Sequence, residues 1–73
     1  MNQREQILFM QIRLMQMTAE RLGVSINDAA KMFKTYGVAE LIEECFDLYH
    51  TEGDECVYED VIALLKLKGA LKA

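Results

Sequence analysis

Cys45, His50 and Cys56 are the side chains that a metal site or a proton-transfer reaction would draw on first. Thiolate and imidazole are the ligands zinc favours, but a structural zinc site takes four of them, usually in closely spaced pairs. Three are offered here and no two form a close pair, so no metal site is expected. Cys45 also falls on the apolar face of a predicted helix, where a small buried thiol is the ordinary explanation. The acidic stretch Asp47, Glu52, Asp54 and Glu55 does not read as a calcium loop, because Gly53 and the oxygen ligands are out of register with an EF-hand and no matching bidentate Glu closes it. His50 has neither a nucleophile motif nor a Gly-rich phosphate loop around it. A lone His at a helix C-terminus commonly complements the dipole or caps carbonyls. No enzymatic activity, cofactor or metal is expected.

The other chemistry in reach is nucleic-acid binding. From Thr18 to Val38, TAERLGVSINDAAKMFKTYGV, a small residue at Ala19, a glycine at Gly23 and apolar Val24, Ala29 and Met32 fit the spacing of a helix-turn-helix. Its second helix would offer Ser25, Asn27, Asp28, Lys31 and Lys34 to base edges and phosphates. Asp28 in the first turn, the absence of Arg on that helix and an acidic neighbouring half weaken the footprint. A structural corner between packed helices is the favoured reading, and a DNA-binding regulator is the alternative.

Charge is divided unevenly along the 73 residues. Residues 1–36 carry five basic and three acidic side chains, a net of +2, and residues 37–73 carry three basic and nine acidic ones, a net of −6, which together give the chain's −4. An acidic surface of that kind repels phosphate backbones and attracts basic protein surfaces. A globular chain near this size buries only roughly 60% of the surface its unfolded form exposes, so its core is small and a deep pocket built by a monomer is not expected. No secretory leader and no long apolar run stand in the sequence, so a cytoplasmic location without membrane insertion is expected, with the two Cys reduced.

Four helices must position these groups. Gln3 to Leu22 lacks an internal breaker and has two apolar stripes, Leu8, Ile12, Met15, Ala19 and Leu22 beside Ile7, Met10, Leu14 and Met17. That arc is broad enough to require partners on two sides, or a homo-oligomer through this helix. Phe9 stands apart on the wet face. Gly23 and Ser25 read as the stop of helix one and the N-cap of helix two, which runs from about Ile26 to Tyr36 with Ile26, Ala29, Ala30 and Phe33 inward. Helix three, from about Ala39 to Tyr49, sets Val38, Leu41, Ile42, Cys45, Phe46 and Tyr49 against an outer face of Glu40, Glu43, Glu44 and Asp47. His50 to Glu55 reads as a polar turn, an extended piece at Cys56 to Tyr58 is allowed, and the last helix begins near Val57 or Tyr58 and ends at Gly69. Tyr36, Tyr49 and Tyr58 read either as partner anchors or as half-buried edges of the core.

The combination Phe33-Lys34-x-Tyr36-Gly37-Val38, Leu41-Ile42, Asp47-x-Tyr49-His50-Thr51-x-Gly53-x-Glu55 and Glu59-Asp60-Val61-Ile62 resembles a family of short bacterial proteins that carry a domain of unknown function. The resemblance spans nearly the whole chain. It implies a cytosolic protein often encoded beside a predicted ADP-ribosyltransferase-like protein, and hence a paired, antitoxin-like role; it carries no catalytic residue with it.

The sequence therefore predicts one all-α domain over residues 1–73, a small four-helix fold with a helix-turn-helix-like corner between helices one and two. Its expected function is non-enzymatic protein interaction. The expected contact residues are Glu40, Glu43, Glu44, Asp47, His50, Glu52, Asp54 and Glu55, facing a basic protein partner; Ser25, Asn27, Lys31 and Lys34 would carry the DNA-binding alternative.

Overall fold

A computed structural model describes residues 2–71 and shows five helical segments: α1 (Gln3–Leu22), α2 (Ile26–Thr35), α3 (Val38–Glu44), α4 (Phe46–Tyr49) and α5 (Asp54–Leu67). Among the described residues there is no strand. Met1, Lys72 and Ala73 belong to the single-domain reading of the sequence and lie outside the described residues.

α1 begins where the Asn2 side chain accepts a 2.8 Å hydrogen bond from the Glu5 amide. That bond satisfies one of the free donors at the helix start. The helix ends at Gly23, whose φ is 68°. A residue without Cβ enters that left-handed region freely. The Val24 amide then turns back onto the Ala19 carbonyl at 3.0 Å. Two residues after Gly23, Ser25 Oγ accepts from the Asp28 amide at 3.0 Å and starts α2. Tyr36 and Gly37, the latter with φ of 78°, form the two-residue turn that joins α2 to α3.

α1 is the common support of the fold and packs against α2, α3 and α5. Every helix feeds one core: Met10 and Leu14 from α1, Phe33 from α2, Val38 and Ile42 from α3, Phe46 and Tyr49 from α4, and Val57, Val61 and Leu65 from α5. Thr18 is fully buried, and its hydroxyl donates to the Leu14 carbonyl at 2.8 Å. The polar atom is thus satisfied within its own helix. Gln11 ties α1 to the start of α3 by donating from Nε2 to the Ala39 carbonyl at 2.9 Å.

The broad apolar arc of α1 is only partly covered, with Ala19 of the first stripe buried as well as residues of the second. Met10 and Leu14 are buried, whereas Leu8 and Ile12 remain 52% and 39% exposed. α2 has 10 residues against the 20 of α1. Because each residue of a helix adds the same rise, α2 covers roughly half of the longer helix. Ile26, expected inward, is 46% exposed instead. As the first residue of α2 its Cβ tilts past the helix start, away from the packed face.

The expected third helix is divided. Cys45, at φ −100° and ψ 12°, ends α3 and starts the single turn α4. On an unbroken helix Cys45 would sit at the centre of the inward stripe and Phe46 at its edge; in the structure Phe46 is buried and Cys45 is half-buried. The break lets the larger hydrophobe take the inward position, where it buries far more apolar area than a thiol. The last helix starts at Asp54, three residues before Val57, and the extended piece allowed at Cys56 to Tyr58 is helical. Gly53 is its N-cap, and the Gly53 carbonyl accepts from the Cys56 amide at 3.0 Å and the Val57 amide at 3.3 Å. Asp54 and Glu55 favour the positive end of the α5 dipole.

Leu14→Ala, which removes a fully buried side chain from the shared helix, is expected to destabilise the fold by about 3–5 kcal/mol. Gly23→Ala places its Cβ in open space. Its cost is that of the left-handed backbone conformation alone, roughly 1 to about 2 kcal/mol. Urea unfolding of both variants checks the order; a Gly23→Ala loss as large as that of Leu14→Ala would contradict it.

Candidate functional site

Glu40, Glu43 and Glu44 lie on the side of α3 opposite the buried Val38 and Ile42. None of the three forms an ion pair among the described residues. Asp47 continues this face onto α4, where one carboxylate oxygen accepts a 3.3 Å hydrogen bond from Gln3 Nε2. The acidic outer face read from the sequence is thus assembled from α3 and α4 together.

The turn that follows behaves differently. Asp54 receives Arg13 of α1 in a forked pair, Nε to Oδ2 at 2.9 Å and Nη2 to Oδ1 at 3.3 Å. Glu55 receives Arg21 in the same manner, through Nη1 to Oε2 at 2.8 Å and a second contact between Nη2 and Oε1. The Arg21 guanidinium also lies 4.7 Å from the centroid of the Tyr58 ring. That is a cation–π distance. The hydrogen bond from Arg21 holds the Glu55 carboxyl below its ordinary range, and the bonds to Asp54 and Glu55 raise the two guanidinium groups above theirs. Asp54 and Glu55 therefore clasp α5 to α1. No local pattern in the sequence marks Arg13 and Arg21 as their partners, since 41 and 34 residues separate the pairs. The one signal available is the opposed charge of the two halves.

His50 follows α4 and is exposed, with its ring edge-on to Phe46 at 5.4 Å between centroids and 88° between planes. Its amide donates to the Phe46 carbonyl at 2.9 Å. Phe46 and His50 line a groove of about 300 Å³ against α1, which contributes Phe9, Met10 and Arg13; Glu52 and Asp54 complete the acidic part of the lining. Glu52 is exposed and has no cationic partner among the described residues.

The three tyrosines differ in burial. Tyr49 is buried and its hydroxyl donates to Asp60 Oδ2 at 2.9 Å. Burial first, and then this bond, raises the phenol's pKa. Tyr58 and Tyr36 are half-buried and pack against the core cluster. Cys45 is half-buried, Cys56 is exposed, and both are free thiols. Among the described residues no group of three or more His, Cys, Asp and Glu side chains is placed to hold a metal ion, and no helix is long and apolar enough to cross a membrane. Of the residues assigned to the DNA-binding alternative, Ser25 is engaged in capping α2, while Asn27, Lys31 and Lys34 are exposed on that helix.

The folded-state pKa of Glu55 lies below its ordinary value of 4.5. The Arg21–Glu55 clasp therefore stabilises the protein above that ordinary value, and its contribution is lost as pH falls through the depressed folded value. Glu55→Gln mimics the protonated side chain at every pH. The difference in Tm between wild type and Glu55→Gln is expected to be largest near neutrality and to close on acidification. A difference independent of pH would show that the pair contributes nothing through its charge.

A family model described as Protein of unknown function (DUF3791) matches residues 9–68, and the chain belongs to that family. No curated protein and no solved structure matches the chain.

Proposed function

We propose that this family member is a non-enzymatic protein-interaction module whose acidic outer face docks a basic protein partner. The observation that carries the reading is the contrast between two sets of carboxylates. Asp54 and Glu55 are neutralised within the chain, whereas Glu40, Glu43 and Glu44 stand on the outer side of α3 with no ion pair among the described residues. A face of uncompensated charge steers association and selects partners of opposite sign. Asp47, His50 and Glu52 extend it along α4 and the turn. The family resemblance in the sequence supplies the identity proposed for the partner, an ADP-ribosyltransferase-like protein encoded nearby, towards which this chain acts as an antitoxin. The DNA-binding alternative has thinner support, since Asn27, Lys31 and Lys34 share α2 with Asp28 and Arg21 is held by Glu55.

Co-expression with the neighbouring gene product and affinity capture test the docking reading. Reversing Glu40, Glu43 and Glu44 to Lys is expected to reduce capture by roughly tenfold or more, equivalent to about 1.4 kcal/mol or more of binding free energy. Capture unaffected by the triple reversal sinks it.

A second contact is proposed on α1, where Leu8 and Ile12 are both exposed. They stand one helical turn apart, so they present a single surface. Both belong to the broad apolar arc of α1, and the chain's own helices leave them exposed. Pairing with a second copy would bury them. Light scattering is expected to report a dimer mass at high concentration and a monomer for the Leu8→Glu, Ile12→Glu double variant; a monomeric wild type refutes the contact.

A further inference from the structure

The groove between α1 and the α4–α5 turn has a composition that the acidic face lacks. Met10 and Phe46, both nearly buried, form its floor, and the more exposed Phe9 and His50 flank them with aromatic surface. Gln6 also lines the groove, Arg13 and Asp54 pair with each other in the lining, and Glu52 is the lining carboxylate with no ion pair among the described residues. The groove holds about 300 Å³. That lies at the low end of the range for ligand pockets.

The same protein shows what such a combination holds. At the other clasp an aromatic ring, Tyr58, and a carboxylate, Glu55, together fix the Arg21 guanidinium. Aromatic faces attract a cation through the ring quadrupole, and a carboxylate accepts the planar fork of a guanidinium in two parallel bonds. Lysine offers only a compact, strongly hydrated charge and gains less from either feature. The groove lining brings together the same kinds of group in Phe9, His50 and Glu52, and Glu52 forms no ion pair among the described residues.

We propose that the groove receives an arginine side chain of the partner, with its guanidinium stacked on Phe9 and hydrogen-bonded to Glu52. The inference rests on the docking reading above and names the anchor that the basic partner inserts beside the α3 face. It separates two contributions: the carboxylates of α3 act at long range on net charge, and the groove favours arginine through its aromatic rings and the Glu52 carboxylate.

The test is an NMR titration of the full isotope-labelled chain with a hexapeptide of alternating glycine and arginine, and with the same peptide carrying neutral citrulline at each arginine. The ring resonances of Phe9, Phe46 and His50 are expected to shift saturably with the arginine peptide, and the citrulline peptide to bind roughly tenfold more weakly. Glu52→Gln, at an exposed position, is expected to weaken the arginine peptide about fivefold while leaving the amide spectrum of the core unchanged. Shifts confined to Glu40, Glu43 and Glu44, with the three rings unmoved, overturn the groove and leave the docking face standing. Ring shifts without any response on α3 sustain the groove and remove the docking face. Equal binding of the two peptides, or no saturable ring shift at millimolar peptide, overturns the inference.

Discussion

The packing of three helices on α1 is the constraint from which the remaining structure follows. A chain of this size has so little interior that one element must serve as the partner of the others. Leu14 sits fully buried near the middle of that element, in one cluster with Met10 and the inward residues of α2, α3, α4 and α5. The demand explains the unusual width of the apolar arc on α1 and the presence of a satisfied Thr18 within it. It also leaves a remainder: Leu8 and Ile12 of α1 stay exposed.

Charge follows packing. The chain is basic in its first half and acidic in its second, and folding brings part of each into register: Arg13 meets Asp54, and Arg21 meets Glu55 and Tyr58. Pairs as exposed as these contribute modestly to stability, yet they bear on where α5 begins. Asp54 and Glu55 are drawn into its first turn, where they complement the helix dipole and reach back to α1 at once. Glu40, Glu43 and Glu44 of α3 and Asp47 of α4 are left without an ion pair among the described residues. An acidic face survives because the helix carrying it has its apolar side committed to the core.

Much of this is legible at the level of single helices. The extent of α1, the glycine stops, the Ser25 cap and the outward carboxylates of α3 all follow from local rules, since each depends on residues within a turn or two of one another. The division at Cys45 does not, because periodicity admits both Cys45 and Phe46 to the inward stripe and only the space available in the core chooses the larger. The start of α5 is hidden for a related reason. Asp54-Glu55-Cys56 has the polarity of a loop, and what makes it helical is partly the pair of arginines in another helix.

Residue order alone therefore dictates an all-α chain, the sequence and approximate span of its helices, and an acidic second half with an outward row of glutamates on the third. Which of those acidic residues are paired within the chain is settled by packing between helices. Asp54 and Glu55 look the same in the sequence as Glu43 and Glu44, yet the first two are held by arginines of α1 and the second two are not. The gathering of Phe9, Phe46, His50 and Glu52 around one groove has the same origin. Both outcomes rest on contacts between residues far apart in the chain, whose geometry is set by how the helices cross and not by the spacing of any motif.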